Sequence, residues 1–368
     1  MKMSKMLQSG MIVGTIFLFS WAAGNCFAQE GAAGKILTPE QLKGAELKIV
    51  WENELPLKKA ESLEQLLIIG TRIYALSGNN YMISLNREDG KVILSQPIAE
   101  KGFPVIGLEV YKNEIFSVAG GKLIEIDLNG GRELSSKLLK FNVVCPAVRN
   151  SSYFYIAGTD NRLHALRAGD KVKAFDVSAK NGSRITSIFA DDNLVVFATE
   201  KGDFVRITPD GPKQMWQFNA ERGISGPITA DANSLFFASE DTNVYSLDRL
   251  TGKFVWKYQT NGMLQKGPRM GRNAVYQYVR DKGLAAIDKN TGKLIWQLAD
   301  GLDLLAETSD RTYVIAGNGE LVVMDNKKTT KLYSTGFAGI SKWAANTIDS
   351  KIYIADAAGR VVCLKPME

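Results

Sequence analysis

The chain has 368 residues and a single histidine, His164. Ser-His-Asp triads, most zinc sites and most proton relays draw on imidazole, so this count narrows the available chemistry at once. His164 lies in the run Arg162–Arg167 (RLHALR), with no nucleophile or metal-ligand spacing around it. The slot matches that of Tyr245 in NVYSLD, so a packing role is expected. The acidic pairs Asp191-Asp192 and Glu240-Asp241 sit in turn-like surroundings and are expected to be solvated turn carboxylates. No Gly-Lys-Ser/Thr opens a helix, which excludes a phosphate loop. No catalytic residue, metal ligand set or cofactor is therefore expected. One charged set is less ordinary: Arg184, Lys266 and Lys342, with Asp303 among them, recur at corresponding places of a repeat. Like charges gathered on a low-dielectric rim attract anions, so these three define a candidate anion-binding channel mouth.

The elements that would carry these residues emerge from self-comparison. Strand-like runs end on Leu85, Ile126, Leu166, Ile207, Leu247, Ile287, Met324 and Leu364, at spacings of 41, 40, 41, 40, 40, 37 and 40. A little upstream of each anchor lies a run rich in Val, Ile, Tyr and Phe, such as RIYALSG (72–78) and LFFASED (235–241). Those residue types suit a pleated surface. Turns such as Gly78-Asn79-Asn80 and Thr159-Asp160-Asn161 tolerate positive φ and join the two runs as hairpins. A third strand follows, clearest in DRLTGKFVW (248–256) and DKNTGKLIW (288–296). A fourth, innermost strand precedes each hairpin and is marked by Pro104, Pro146, Pro227 and Pro268, proline being admissible at a strand's first residue.

Four antiparallel strands in every repeat, without helical periodicity, predict an all-β, eight-bladed β-propeller. The last repeat stops just after Leu364 with no outer strand of its own. Glu46–Glu54 (ELKIVWENE) reads as the missing strand, with Trp51 in the place of Trp256, so the N-terminal strand is expected to close the ring.

The segment from Met1 to Ala28 differs from the rest. Lys2 and Lys5 precede the uncharged run Met11–Ala23, and Gly24–Ala28 leads into Gln29. This is the layout of a Sec-type signal peptide ending at Ala28. Lipidation at Cys26 is the alternative, although Asn25 is a poor neighbour for it. The apolar run is shorter than the roughly 20 residues of a membrane span. The expected organisation is a signal peptide over 1–28, a short linker over 29–45 and the propeller over 46–368. Loss of Lys2 and Lys5 lowers the formal charge from +6 to +4, spread along the chain, which gives no nucleic-acid arm. Cys145 and Cys363 are too few for a disulfide framework.

The pattern G-x-[LV]-x-[AS]-[LI]-D-x-x-T-G-[KE]-x-x-W, nearly intact at 243–256 and 283–296, resembles the pyrroloquinoline-quinone-like propeller repeat. Trp51, Trp216, Trp256, Trp296, Gly252 and Gly292 are its structural residues here. Leu94, Ser135, Phe175 and Tyr333 stand near the tryptophan's place in blades one, two, three and seven. Quinone-dependent dehydrogenases of alcohols or sugars share the repeat, but insertions between their blades build a cofactor chamber. Blades as closely spaced as these leave no such room. The resemblance extends to the compact outer-membrane assembly lipoprotein, and implies a non-catalytic, monomeric binding scaffold, periplasmic or secreted. Its expected partners are proteins of the envelope, with no nucleic acid and no membrane span after processing.

Overall fold

Each hairpin run is apolar at nearly every position because both of its faces are covered. In the strand Ser234–Ser239 of blade five, Leu235 and Phe237 pack against Val196 and Phe204 of blade four. Phe236 and Ala238 point the other way and meet Val275 and Ile287 of blade six. Successive side chains alternate between faces, so one strand serves two interfaces. The same division recurs around the molecule, and each buried cluster is shared by adjacent blades. Each fully buried aliphatic or phenyl side chain contributes about 1.5–3 kcal/mol in removal from water.

The computed structural model describes residues 36–367. The expected signal peptide, with Cys26 and Ala28, lies outside the described residues. Within them 32 strands form eight four-stranded antiparallel sheets, the expected eight-bladed propeller. Seven blades take four consecutive strands each, beginning with Leu63–Ile69 of blade one. The hairpin turns use positive φ as expected, at Asn80 (61°), Asn161 (62°) and Gly319 (76°).

The eighth blade is built from both ends of the chain. Leu47–Glu54 pairs antiparallel with Arg360–Pro366, in the register Leu47↔Pro366 and Trp51↔Cys363. Its cluster unites Trp51, Tyr353 and Cys363 of blade eight with Leu66, Ile73 and Leu85 of blade one, and the ring is closed.

Two expectations are refined. The linker does not run to residue 45, because Ile36–Ala45 is held on blade seven. A short helix, Pro39–Gly44, is fixed by a capping box in which Gln41 N donates to Thr38 Oγ1 (3.2 Å) and Thr38 N to Gln41 Oε1 (2.7 Å). Gln41 Nε2 donates to Gly336 O at 2.6 Å, and Leu37 and Ala45 are buried with Phe337. Pro227 is not at a strand's first residue but inside Ile224–Ala230. It falls where the pairing shifts register between Ser225 and Thr229, so its missing N–H breaks no ladder bond.

Removal of residues 29–55 strips blade eight of its outer strand and leaves the long edge Arg360–Pro366 unpaired. The expected outcome is loss of cooperative thermal unfolding by circular dichroism; an unchanged melt would show that the ring holds without its N-terminal strand.

Candidate functional site

The repeat's turn is pre-formed by its aspartate. Asp248 Oδ1 accepts from Leu250 N (3.1 Å), Thr251 N (2.7 Å) and Thr251 Oγ1 (2.7 Å), and Asp288 does the same with Asn290 and Thr291. The Thr251 hydroxyl and amide hold the Asp248 carboxyl below its ordinary value. The turn ends on Gly252 (φ 68°) or Gly292 (φ 71°).

These glycines are seats for the tryptophan of the preceding blade. A Cβ at Gly252 would stand 2.4 Å from the Trp216 ring, one at Gly292 2.7 Å from Trp256, and one at Gly90 2.4 Å from Trp51. The indoles also donate across the gap, from Trp51 to Arg87 O (3.0 Å), Trp216 to Leu250 O (2.9 Å) and Trp256 to Lys289 O (2.9 Å). The contact of Trp51 thus bridges the closure from blade eight to blade one. Trp296 is the exception. Blade seven has Thr329 (φ 57°) in its turn, and Trp296 reaches only Asn326 Oδ1 at 3.4 Å, beside a cavity of about 290 Å³. The ladder places Leu94, Ser135, Phe175 and Tyr333 where tryptophan stands elsewhere, opposite Ser84, Glu125, Ala165 and Val323.

The concave surfaces lie along the innermost strands. One cavity of about 520 Å³ is lined from blades two to five, among others by Glu109, Pro146, Arg149, Ile188 and Phe189. A second, also about 520 Å³, is lined from blades five to eight, by residues that include Lys266, Arg269, Tyr278 and Asp303. Both share Gly226, Pro227 and Ile228, so they are two halves of one channel. Gly226 and Gly267 allow the walls to close. A Cβ on Gly226 would sit 2.1 Å from Gly267 N, a backbone approach that no other residue permits.

Of the charges singled out in the sequence, Lys266 and Asp303 come to the same cavity. Lys266 Nζ lies 5.1 Å from the centre of the Tyr278 ring. Asp303 is gripped by Arg269 through Nε (2.5 Å) and Nη2 (2.7 Å) and accepts from Trp343 Nε1 at 3.1 Å. Arg184 is exposed just ahead of the strand Ile185–Ala190 and does not line that cavity. Lys342 does not line it either, and stands 3.6 Å from Glu64 Oε2. Sequence reasoning missed Arg269, whose only signal was its place directly after Pro268.

His164 fills the aromatic slot as expected. Its ring stacks on Phe141 at 3.9 Å and its Nε2 lies 3.1 Å from the Asp160 carboxylate, just as Tyr245 donates to Asp241 (2.7 Å). The pair Asp191-Asp192 is more than a solvated turn group, whereas Glu240 is exposed. Asp191 pairs with Arg249, and Asp192 accepts from Ser151 N (2.7 Å) and Tyr111 OH (3.2 Å). They tie neighbouring blades together. Cys145 and Cys363 are buried and unbridged, and burial pushes both thiols up to about 12. Among the described residues no group of three or more His, Cys, Asp or Glu is placed to hold a metal ion. No described helix is long and apolar enough to cross a membrane.

The strands define an eight-bladed β-propeller, and its turns and tryptophan seats resemble those of the pyrroloquinoline-quinone-like repeat. Residues 200–335 match the family described as outer membrane protein assembly factor BamB. That span holds Trp216, Trp256 and Trp296, where the repeat is best kept. Among solved structures the chain is similar to BamB from Moraxella catarrhalis, with a TM-score of 0.67 and 16% identity over 87% of this chain and 97% of that one. It is also similar to the computationally designed Ika8 protein, with a TM-score of 0.67 and 13% identity over 86% and 99%. At these identities the likeness is one of fold. No curated protein matches the chain.

The tryptophan seats predict a contrast between two glycines. Gly121 (φ 77°) has nothing within 4 Å of an added Cβ, so Gly121→Ala meets only the left-handed backbone cost, roughly 1–2 kcal/mol. Gly252→Ala adds the clash with Trp216, for a total loss of about 2–5 kcal/mol. Denaturant melts of the two variants measure the difference; equal losses would show that the seat is not a tight contact.

Proposed function

We propose that the chain is a non-catalytic scaffold of the cell envelope that binds protein partners, of the kind engaged in outer-membrane protein assembly. The observation that carries this reading is the match of residues 200–335 to the assembly-factor family, in a ring that spans nearly the whole of the Moraxella catarrhalis protein. The build of the ring supports it. Closely spaced blades leave short loops, with nothing inserted between them to wall a cofactor chamber. Fold alone does not decide between enzyme and scaffold, since propellers carry both. Cross-linked pull-down from the native envelope is the direct test, with outer-membrane assembly proteins as the expected catch. Quinone and Ca²⁺ addition, followed by dye-linked oxidation of alcohols and sugars, is the opposing test; turnover there overturns the scaffold reading.

Within that reading, we infer that the Lys266 side of the channel receives anionic groups. Among the described residues Lys266 has no carboxylate at ion-pair distance, while the nearby Asp303 is already neutralised by Arg269. Arg184 and Lys342 contribute to the field rather than to the wall. Calorimetric titration with small carboxylates or acidic peptides should show binding that Lys266→Ala weakens severalfold. Absence of binding, or the same affinity in the variant, removes the anion site.

A further inference from the structure

The half of the channel opposite Lys266 has a different balance of charge. Its titratable lining groups are Glu109, Tyr111, Cys145, Arg149, Asp191 and Asp192. All but one of the charged groups are already matched. Arg149 donates to Glu114 (2.5 Å) and Glu125 (3.1 Å), Asp191 pairs with Arg249, and Asp192 takes Ser151 N and Tyr111 OH. Among these charged side chains only the Glu109 carboxylate has neither a hydrogen bond nor an ion pair. It projects from the innermost strand of blade two, Val105–Tyr111, and is open to the channel. The surrounding wall includes Pro146, Ile188, Phe189 and Ile228. Glu109 is exposed to the channel, so its carboxylate can take a counter-charge from outside without giving up an internal partner.

We propose that this half of the channel binds a primary ammonium group carried on an apolar stem, with the ammonium on Glu109 and the stem along Ile188, Phe189 and Ile228. The cavity of about 520 Å³ lies within the range of small-molecule sites, which pair an apolar lining with a few placed polar groups. The ammonium recovers a charge-assisted hydrogen bond, and the stem displaces water from apolar wall. The group can come from a free alkylamine or from a lysine side chain presented by a partner. The inference does not depend on the scaffold reading.

Removal from bulk water pushes the Glu109 carboxyl up to about 7, and no neighbouring charge lowers it. Arg149 is engaged by its own two glutamates, Cys145 stays a neutral thiol, and Arg184 acts on Cys145 from the adjoining blade. Below that value Glu109 is increasingly protonated while an alkylamine keeps its charge, so affinity should fall about tenfold per pH unit. Above it affinity should level off until the amine itself deprotonates.

The test is an NMR titration of the full chain with n-hexylamine, n-hexanol and hexanoate at pH 8, repeated at pH 6 and 5. Hexylamine is expected to bind at least tenfold more tightly than hexanol, and hexanoate more weakly than either. Glu109→Gln, its fold verified by thermal melt, should erase the preference for the amine. The pH series on the unaltered chain tests the same point without any variant. A lysine-bearing tetrapeptide and its norleucine counterpart separate the sources. A lysine peptide tighter than hexylamine assigns the site to a partner's side chain, and a weaker one assigns it to a free amine. Equal binding of hexylamine and hexanol, an unchanged amine affinity in Glu109→Gln, or no amine binding overturns the proposal.

Discussion

No blade of this protein can bury both of its faces alone. Each four-stranded sheet has apolar residues on two sides, and only a neighbour on each side removes them from water. A row of such sheets would always leave two apolar end faces, and a ring leaves none. Closure is therefore the condition under which every other contact is satisfied. The antiparallel ladder from Leu47 to Glu54 supplies the last strand, and the indole of Trp51 on Gly90 joins the last blade to the first.

Closure also creates a concave space shared by many blades. The innermost strands need little side chain between them where Gly226 and Gly267 touch, and they diverge elsewhere into two lined halves. One half contains Lys266 and Arg269, the other Glu109, Asp191 and Asp192. Most of these charges are spent on holding blades together, as Asp303 with Arg269 and Asp191 with Arg249 show. The unmatched ones, Lys266 and Glu109, carry opposite sign and lie in opposite halves.

The ring was legible in the sequence because its period is imposed by covalent spacing. Eight evenly spaced anchors, turn glycines and a stray strand at the N-terminus each report a local requirement. Even the drifted positions Leu94, Ser135, Phe175 and Tyr333 align by spacing alone, and the ladder gives each its cross-strand partner. The channel was far less legible. Lys266 and Asp303 line one cavity while Arg184 and Lys342 do not, and Arg269 and Glu109 were not foreseen, since their importance depends on who stands opposite. Ion pairs such as Arg149 with Glu125 join residues 24 positions apart, and no local pattern announces them. Residues 36–45 look like a polar linker, and only the helix cap and the burial of Leu37 against Phe337 show otherwise.

The outer strand of blade eight has a further consequence. Among the described strands it is the one that does not follow its neighbour along the chain, so its pairing is held by non-covalent contacts alone. The complementarity that joins Leu47–Glu54 to Arg360–Pro366 makes no distinction between its own C-terminus and that of another copy. Intramolecular pairing prevails because the tethered strand has a high effective concentration at its own ring. The same register would suit a strand from a second copy, which is the geometry that strand exchange between rings requires. The device that makes one molecule a closed circle is thus also the most direct route by which many molecules become an open filament.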